Sequence, residues 1–170
     1  MKSYSNISFE QALSESNDFL DALSLDSLPE TEVYETVRLL TSTENGARGF
    51  FVNYLTTEYE IAKHSSIQIL NALRVSSEIV AELLVKNLAM STATAITHQE
   101  NGDLELAEGS KIVQKRTLEL ISKLDLPLVR EKLLILYENL QTMQGQYQGF
   151  LERWGYDQEQ RDAIASILPL

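Results

Sequence analysis

The chain has 170 residues, enough for one domain with a substantial core, and it contains no cysteine. It therefore cannot form disulfides, thiolate metal sites or a cysteine nucleophile, and its net charge of −11 disfavours nucleic acid and anionic membranes, which bind clustered lysine and arginine. We see no apolar run of about 18 residues that would span a membrane and no signal-peptide core after Met1, and so we predict a cytoplasmic protein without integral membrane insertion.

Residues 1–28 are predicted to form an acidic N-terminal helical arm. Ser8 and Gln11 have the spacing of a capping box, which starts a helix. Residues 1–35 hold eight acidic residues against one lysine, whereas residues 111–132 hold six basic residues against three acidic ones. In one interpretation these two segments face each other or water. In the other, the acidic arm binds a basic protein partner.

Residues 29–60 are predicted to form a helical corner. Pro29 suits the first turn of one helix, and Thr43 suits the N-cap of the next, which we expect over about 45–59. The apolar positions of that second helix recur at helical spacing: Ala47, Phe50, Phe51, Tyr54 and Leu55. Gly49 has no side chain, so another backbone can approach it closely.

The stretch Gly46-Ala47-Arg48-Gly49 admits three interpretations. In the first it is a structural corner, with Arg48 paired to an acid such as Glu44. In the second it belongs to a protein-contact surface, because arginine and aromatic residues dominate interface hot spots. The candidate contact residues are Arg48, Phe50, Phe51 and Tyr54. In the third the helix N-terminus binds an anion, although neither glycine-rich phosphate motif is matched.

Residues 75–124 are predicted to form a helical hairpin. An apolar face runs from Val75 to Leu88, and Asn101-Gly102 supplies a short polar turn before the second helix. The acidic and amide residues around that turn do not follow the spacing of a calcium-binding loop, so we expect a solvated turn.

Residues 127–154 are predicted to form one long helix, followed by a short closing helix and tail over 157–170. The prediction rests on a heptad seam of Val129, Leu133, Leu136, Leu140, Met143, Tyr147, Phe150 and Trp154. The seam continues past Gly145 and Gly149, which lie off it. A free seam would favour a homodimer, although the same seam serves a monomeric bundle equally well.

The aromatic end of this seam gives an alternative site. Tyr147, Phe150 and Trp154 could line a small apolar ligand pocket. His64 and His98 are the only histidines, and neither lies in a known metal-binding motif. We therefore predict no metal or other cofactor.

Two short segments, ENGARGFFVNYLT at 44–56 and FLERWGYD at 150–157, resemble parts of small uncharacterised helical proteins from cyanobacteria. The resemblance implies a soluble bacterial protein with a link to photosynthetic physiology. It implies no catalytic residue.

Together these patterns predict a single all-α domain over 1–170, a bundle of six or seven helices. No catalytic constellation stands out, so the leading functional hypothesis is a non-enzymatic protein-interaction or regulatory domain that uses the surface around residues 44–59. The alternatives are a bundle that binds a small apolar ligand and an enzyme that uses dispersed carboxylates or a histidine.

Overall fold

The computed structural model describes residues 4–59 and 65–170, which form nine α-helices and no β-strand. The helices are α1 Phe9–Ser24, α2 Glu30–Leu40, α3 Glu44–Thr56, α4 Ile67–Val75, α5 Ser77–Glu100, α6 Leu104–Leu124, α7 Pro127–Thr142, α8 Gln148–Trp154 and α9 Gln158–Ile167. The predicted all-α class is confirmed. There are two helices more than the largest predicted number, because residues 67–75 form a separate helix and the predicted long helix over 127–154 is divided.

The chain is organised as two compact units. The first contains the described residues up to Leu83 together with Ser122–Leu124, and the second contains Leu84–Ile121 and Asp125–Leu170. Arg74 holds the end of α6 within the first unit. Its Nη2 donates to the Lys123 carbonyl at 3.0 Å, so it satisfies a carbonyl that the helix end leaves without an intrahelical partner.

In the first unit, α1 and α3 pack side by side and run in the same direction. Three side-chain hydrogen bonds join these helices and the residues that flank them: Asn45 Nδ2 to the Ile7 carbonyl, 3.4 Å; Asn53 Nδ2 to the Leu13 carbonyl, 2.7 Å; Tyr59 Oη to Asp21 Oδ1, 2.7 Å. The sequence separations are 38, 40 and 38 residues, and a nearly constant separation means a parallel pair. Helix α2 makes the return between them and also packs on α4.

The start of each of these helices is defined by its cap. The predicted capping box of Ser8 and Gln11 is present, and Thr43 Oγ1 accepts the Gly46 amide at 3.2 Å. Residues 9–24 of the predicted acidic arm are thus a docked helix, because the buried face of α1, which includes Ala12, Phe19 and Leu20, removes apolar area from water.

In the second unit, α5 and α6 form the predicted hairpin. Gln114 Nε2 donates to Thr92 Oγ1 at 2.8 Å, which places the two helices side by side and antiparallel. The turn uses Gly102, whose φ of +79° is accessible to glycine at little cost.

Helix α5 is long and apolar enough to cross a membrane by length and composition, which corrects the expectation that no segment would reach this limit. In the structure, however, 56% of its most apolar stretch is buried. The central helix of a soluble protein shows the same combination, because it faces protein on several sides.

The predicted long helix over 127–154 is wrong as a single element. Helix α7 ends at Thr142, and α8 begins at Gln148. Met143 and Gly145 take φ values of +54° and +109°, and the buried Asn139 accepts the Tyr147 amide on its Oδ1 at 2.8 Å. The side chain of Asn139 thus replaces helical hydrogen bonding at the break. Gly155, φ +60°, ends α8 as predicted.

Candidate functional site

The aromatic residues of α3 are core residues. Phe50 is 0% exposed, Phe51 1% and Tyr54 1%, and the Phe50 and Tyr54 rings are stacked with centroids 5.1 Å apart. The Tyr54 hydroxyl hydrogen-bonds with Ser65 Oγ at 2.8 Å. The expectation that these three side chains touch a partner is therefore wrong. Helices α1 and α2 both cover α3, and burying the three rings beneath them removes their apolar area from water, which stabilises the fold.

The two glycines at the start of α3 are packing positions. A β-carbon at Gly49 would lie 2.6 Å from the Ala12 β-carbon and 2.9 Å from the Leu13 amide nitrogen. A β-carbon at Gly46 would collide with the Leu40 carbonyl. Both glycines thus lie where helices pack closely, and Gly49 is the point where α1 and α3 meet.

This packing also bears on the anion-binding interpretation. The Gly46 amide already donates to Thr43 Oγ1, and Gly46 lies against the carbonyl end of α2. A bound anion would have to displace the cap and would meet a carbonyl oxygen. The geometry therefore speaks against a phosphate cradle at Gly46–Gly49.

Arg48 is exposed, and its guanidinium carbon lies 4.9 Å from the centroid of the Phe9 ring. Within residues 4–59 and 65–170, no acid lies within ion-pairing distance of it, so the expected pair with Glu44 does not form. The ring of Phe9 offers an alternative contact, since arginine stacks well on aromatic faces.

Beyond the exposed Glu44 and Asn45 of its first turn, α3 carries an exposed stripe of three residues, Arg48, Val52 and Thr56, spaced by four residues. Val52 is 46% exposed and is the apolar member of this stripe. Below, the α3 face means these three residues. Sequence reasoning missed Val52 and Thr56, although their spacing from Arg48 on the side away from the aromatic stripe indicates them.

The neighbouring face of α1 is acidic. Glu10 and Asp18 are exposed, and hydrogen bonds from the Glu10 backbone amide and then from Ser8 hold the pKa of the Glu10 carboxyl below its usual value. Asp21 accepts the Tyr59 hydroxyl, and this hydrogen bond raises the pKa of Tyr59. The α3 face thus carries one cation, and the exposed side of α1 carries anions.

The three residues of the alternative ligand site do not share one environment. Tyr147 is 1% exposed and Trp154 is 51% exposed. Phe150 packs edge-to-face on Tyr147 and on Tyr156, with centroids 6.4 Å and 6.0 Å apart, so the rings occupy the space between them. Trp154 is half exposed to water, so it does not line an enclosed pocket together with Tyr147 and Phe150.

Two polar atoms in the described part of the chain are buried without a hydrogen-bond partner, the Tyr156 hydroxyl and His98 Nδ1. Burial raises the pKa of Tyr156. His64 lies outside the described residues. Among the residues that are described, no three histidine, aspartate or glutamate side chains come together in a way that could hold a metal ion.

A family model described as Uncharacterised conserved protein UCP020893 matches residues 8–169. Neither the search of curated proteins nor the search of solved structures finds a match.

Proposed function

The chain belongs to the family described as Uncharacterised conserved protein UCP020893, and we propose that it works as a non-enzymatic, protein-binding helical domain. Its contact surface is the α3 face, with Arg48 at the centre and Val52 and Thr56 beside it. The buried aromatic residues of α3 hold this face rigid and make no contact with the partner.

The main support for the proposal is the exposure of Arg48 and its lack of an ion-pair partner among the described residues. Its guanidinium is exposed, lies over the Phe9 ring and has no acidic partner among the described residues. An arginine that is already positioned loses little conformational freedom when a carboxylate binds, so more of the interaction energy appears as affinity. Arginine is also among the residues that most often dominate binding energy at interfaces.

The chemistry of the surface limits the partner. A carboxylate of the partner would bind Arg48, and a small apolar side chain would cover Val52. Glu10 and Asp18 on α1, together with a net charge of −11, favour a partner whose surface is otherwise basic. Such charge complementarity raises the association rate most at low salt.

The proposal includes a compartment and a source organism. We propose that the domain works in the cytoplasm of a cyanobacterium. The resemblance of residues 44–56 and 150–157 to cyanobacterial proteins supports the origin, and the buried apolar stretch of α5 supports a domain in aqueous solution.

The test compares three tagged baits in host extract: the wild type, Arg48→Glu, and Lys111→Glu as a control. Lys111 is an exposed cation on α6, so the control makes the same change of charge away from α3. A captured protein is identified by mass spectrometry, purified, and titrated against each bait by calorimetry.

We expect Arg48→Glu to weaken binding by about 30-fold, the loss of one interface hot spot of about 2 kcal/mol. Lys111→Glu should stay within about twofold of the wild type, since exposed charges outside an interface contribute little. Equal affinities of all three baits, or equal losses in the two variants, would reject the α3 face as the contact surface. Circular dichroism of each bait checks that the helices are intact.

A further inference from the structure

Helix α7 has a second, exposed face opposite the side that packs in its own core. The buried side carries Val129, Leu133, Leu136 and Leu140. Apart from the last residue, Thr142, the exposed residues are Pro127, Arg130, Glu131, Leu134, Tyr137, Glu138 and Gln141. At 100° per residue, all seven lie within about 60° of Leu134, so they form one stripe along the helix. We call this stripe the α7 ridge.

The centre of the α7 ridge is apolar. Leu134 is 48% exposed and Tyr137 is 40% exposed. Toward the N-terminal end of α7 lies an open depression lined by Asp125, Leu126, Pro127, Arg130, Glu131 and Leu134. The α7 ridge therefore has an exposed aromatic ring, Tyr137, and nearer the N-terminal end of α7 a depression that could bind such a ring from another molecule.

The sequence of the α7 ridge is complementary to itself about Leu134. Arg130 lies four residues before Leu134, and Glu138 lies four residues after it. Glu131 and Tyr137 lie three residues before and after it. A two-fold axis through Leu134 would pair each residue with the second copy's residue at the same distance on the other side.

We propose that the α7 ridge is a self-association surface on which a second copy of the chain pairs α7 antiparallel to α7. Leu134 packs on its own equivalent at the axis. Arg130 of each copy forms an ion pair with Glu138 of the other, so the contact contains two such pairs. The Tyr137 ring of one copy enters the depression of the other, where its hydroxyl can donate to Glu131.

The charged groups that this contact needs are available. The nearest acid to Arg130 is Asp125, at 3.9 Å, and both side chains are largely exposed, so that pair is weak and easily exchanged. Within the described residues, the carboxylates of Glu131 and Glu138 have no ion-pair or hydrogen-bond partner. Forming the contact therefore breaks no well-made interaction.

The size of the ridge sets the expected strength. One face of a 16-residue helix buries less than the roughly 1,200 Å² of a standard stable interface, and two chains of charge −11 repel each other. We therefore expect a reversible dimer with a dissociation constant of about 10–100 μM. The heptad seam does not take part, because its first four residues are already buried within the chain.

The experiment is sedimentation equilibrium of the full chain over a concentration series that brackets this constant. Arg130→Glu and Glu138→Arg each place like charges opposite one another, and each alone should weaken self-association at least about tenfold. Mixed in equal amounts, these two variants can form a heterodimer with two opposite-charge pairs, one native and one with reversed sign, and this heterodimer should return to about wild-type affinity. Leu134→Asp should abolish association.

Lys111→Glu is the matched control, because it changes charge by the same amount at an exposed position on another helix, and it should leave the dissociation constant within about twofold. A monomeric wild type throughout the series overturns the proposal. So does a dimer that survives either single reversal, or a mixture that associates no better than its components. Arg48→Glu should not affect dimerisation, so this result is independent of partner binding at the α3 face.

Discussion

The contact between α1 and α3 at Gly49 predicts that one added methyl group destabilises the protein. In Gly49→Ala the new β-carbon would lie 2.6 Å from the Ala12 β-carbon, 2.7 Å from the Ala12 carbonyl carbon and 2.9 Å from the Leu13 nitrogen. Ordinary contacts of this kind are about 3.5–4.0 Å long. Two of the three atoms belong to the backbone of α1, so no side-chain rotation relieves the clash, and the two helices have to separate.

The size of the effect follows from two opposing terms. Overpacking against a rigid neighbour costs about 3 kcal/mol, the upper part of the usual range. Alanine in place of glycine within a helix returns about 1 kcal/mol. The net loss is about 2 kcal/mol, which for a chain of this length lowers the midpoint of thermal unfolding by about 4–8 °C.

Gly109→Ala is the matched control for this prediction. Gly109 is exposed in α6, and a β-carbon there would meet no atom within 4 Å. Only the helix-propensity term remains, so the midpoint should rise by about 2–4 °C. Thermal unfolding followed by far-ultraviolet circular dichroism measures both variants. A Gly49→Ala protein as stable as the wild type would show that α1 and α3 do not meet as closely as described.

Further predictions concern the second unit. Asn139→Ala leaves the buried Tyr147 amide without its acceptor and should cost about 1–3 kcal/mol in urea unfolding, whereas the exposed Gln141→Ala should change stability by less than about 0.5 kcal/mol. Tyr156→Phe removes a buried hydroxyl that has no partner among the described residues, so at neutral pH it should be neutral or stabilising by about 1 kcal/mol. Burial raises the pKa of Tyr156 in the folded state. The folded state therefore holds the Tyr156 proton more tightly than the unfolded state does, and above about pH 10, the ordinary tyrosine value, the free energy of unfolding falls as pH rises. The urea unfolding midpoint should accordingly fall less between neutral and alkaline pH for Tyr156→Phe than for the wild type.

Helical periodicity alone predicted much of the first unit. The spacing of Phe50, Phe51 and Tyr54 indicated a broad core-facing stripe, and the structure buries all three. The same residues also predict a contact surface, because arginine and aromatic side chains together are typical of interfaces, and for the three aromatic residues this second prediction is wrong. Sequence spacing identifies a face but not how many neighbours cover it. Here α1 and α2 both cover α3, so that the exposed residues of α3 are the first-turn Glu44 and Asn45 and the stripe of Arg48, Val52 and Thr56.

Hydrophobic periodicity could not predict that the helix expected over 127–154 is divided into α7 and α8. The heptad seam passes through residues 143–147 without a change of register, yet the backbone leaves the helix there. The cause is local: Gly145 takes a φ that other residues avoid, and Asn139 supplies a substitute acceptor for the Tyr147 amide. In the sequence, the glycine and the asparagine six residues before it do not indicate a helix break. Their effect becomes clear only from their positions in the structure.

The parallel pairing of α1 and α3 has a consequence for synthesis on the ribosome. The residues that α1 contacts lie 38 to 40 positions further along the chain. Helix α1 therefore leaves the exit tunnel well before α3, and its apolar side, with Phe19 and Leu20, has to wait until both α2 and α3 have emerged. At about 5–20 residues per second this interval lasts about 2–8 s. During that time the nascent chain presents an uncovered hydrophobic helix, which is the kind of segment that a ribosome-associated chaperone binds.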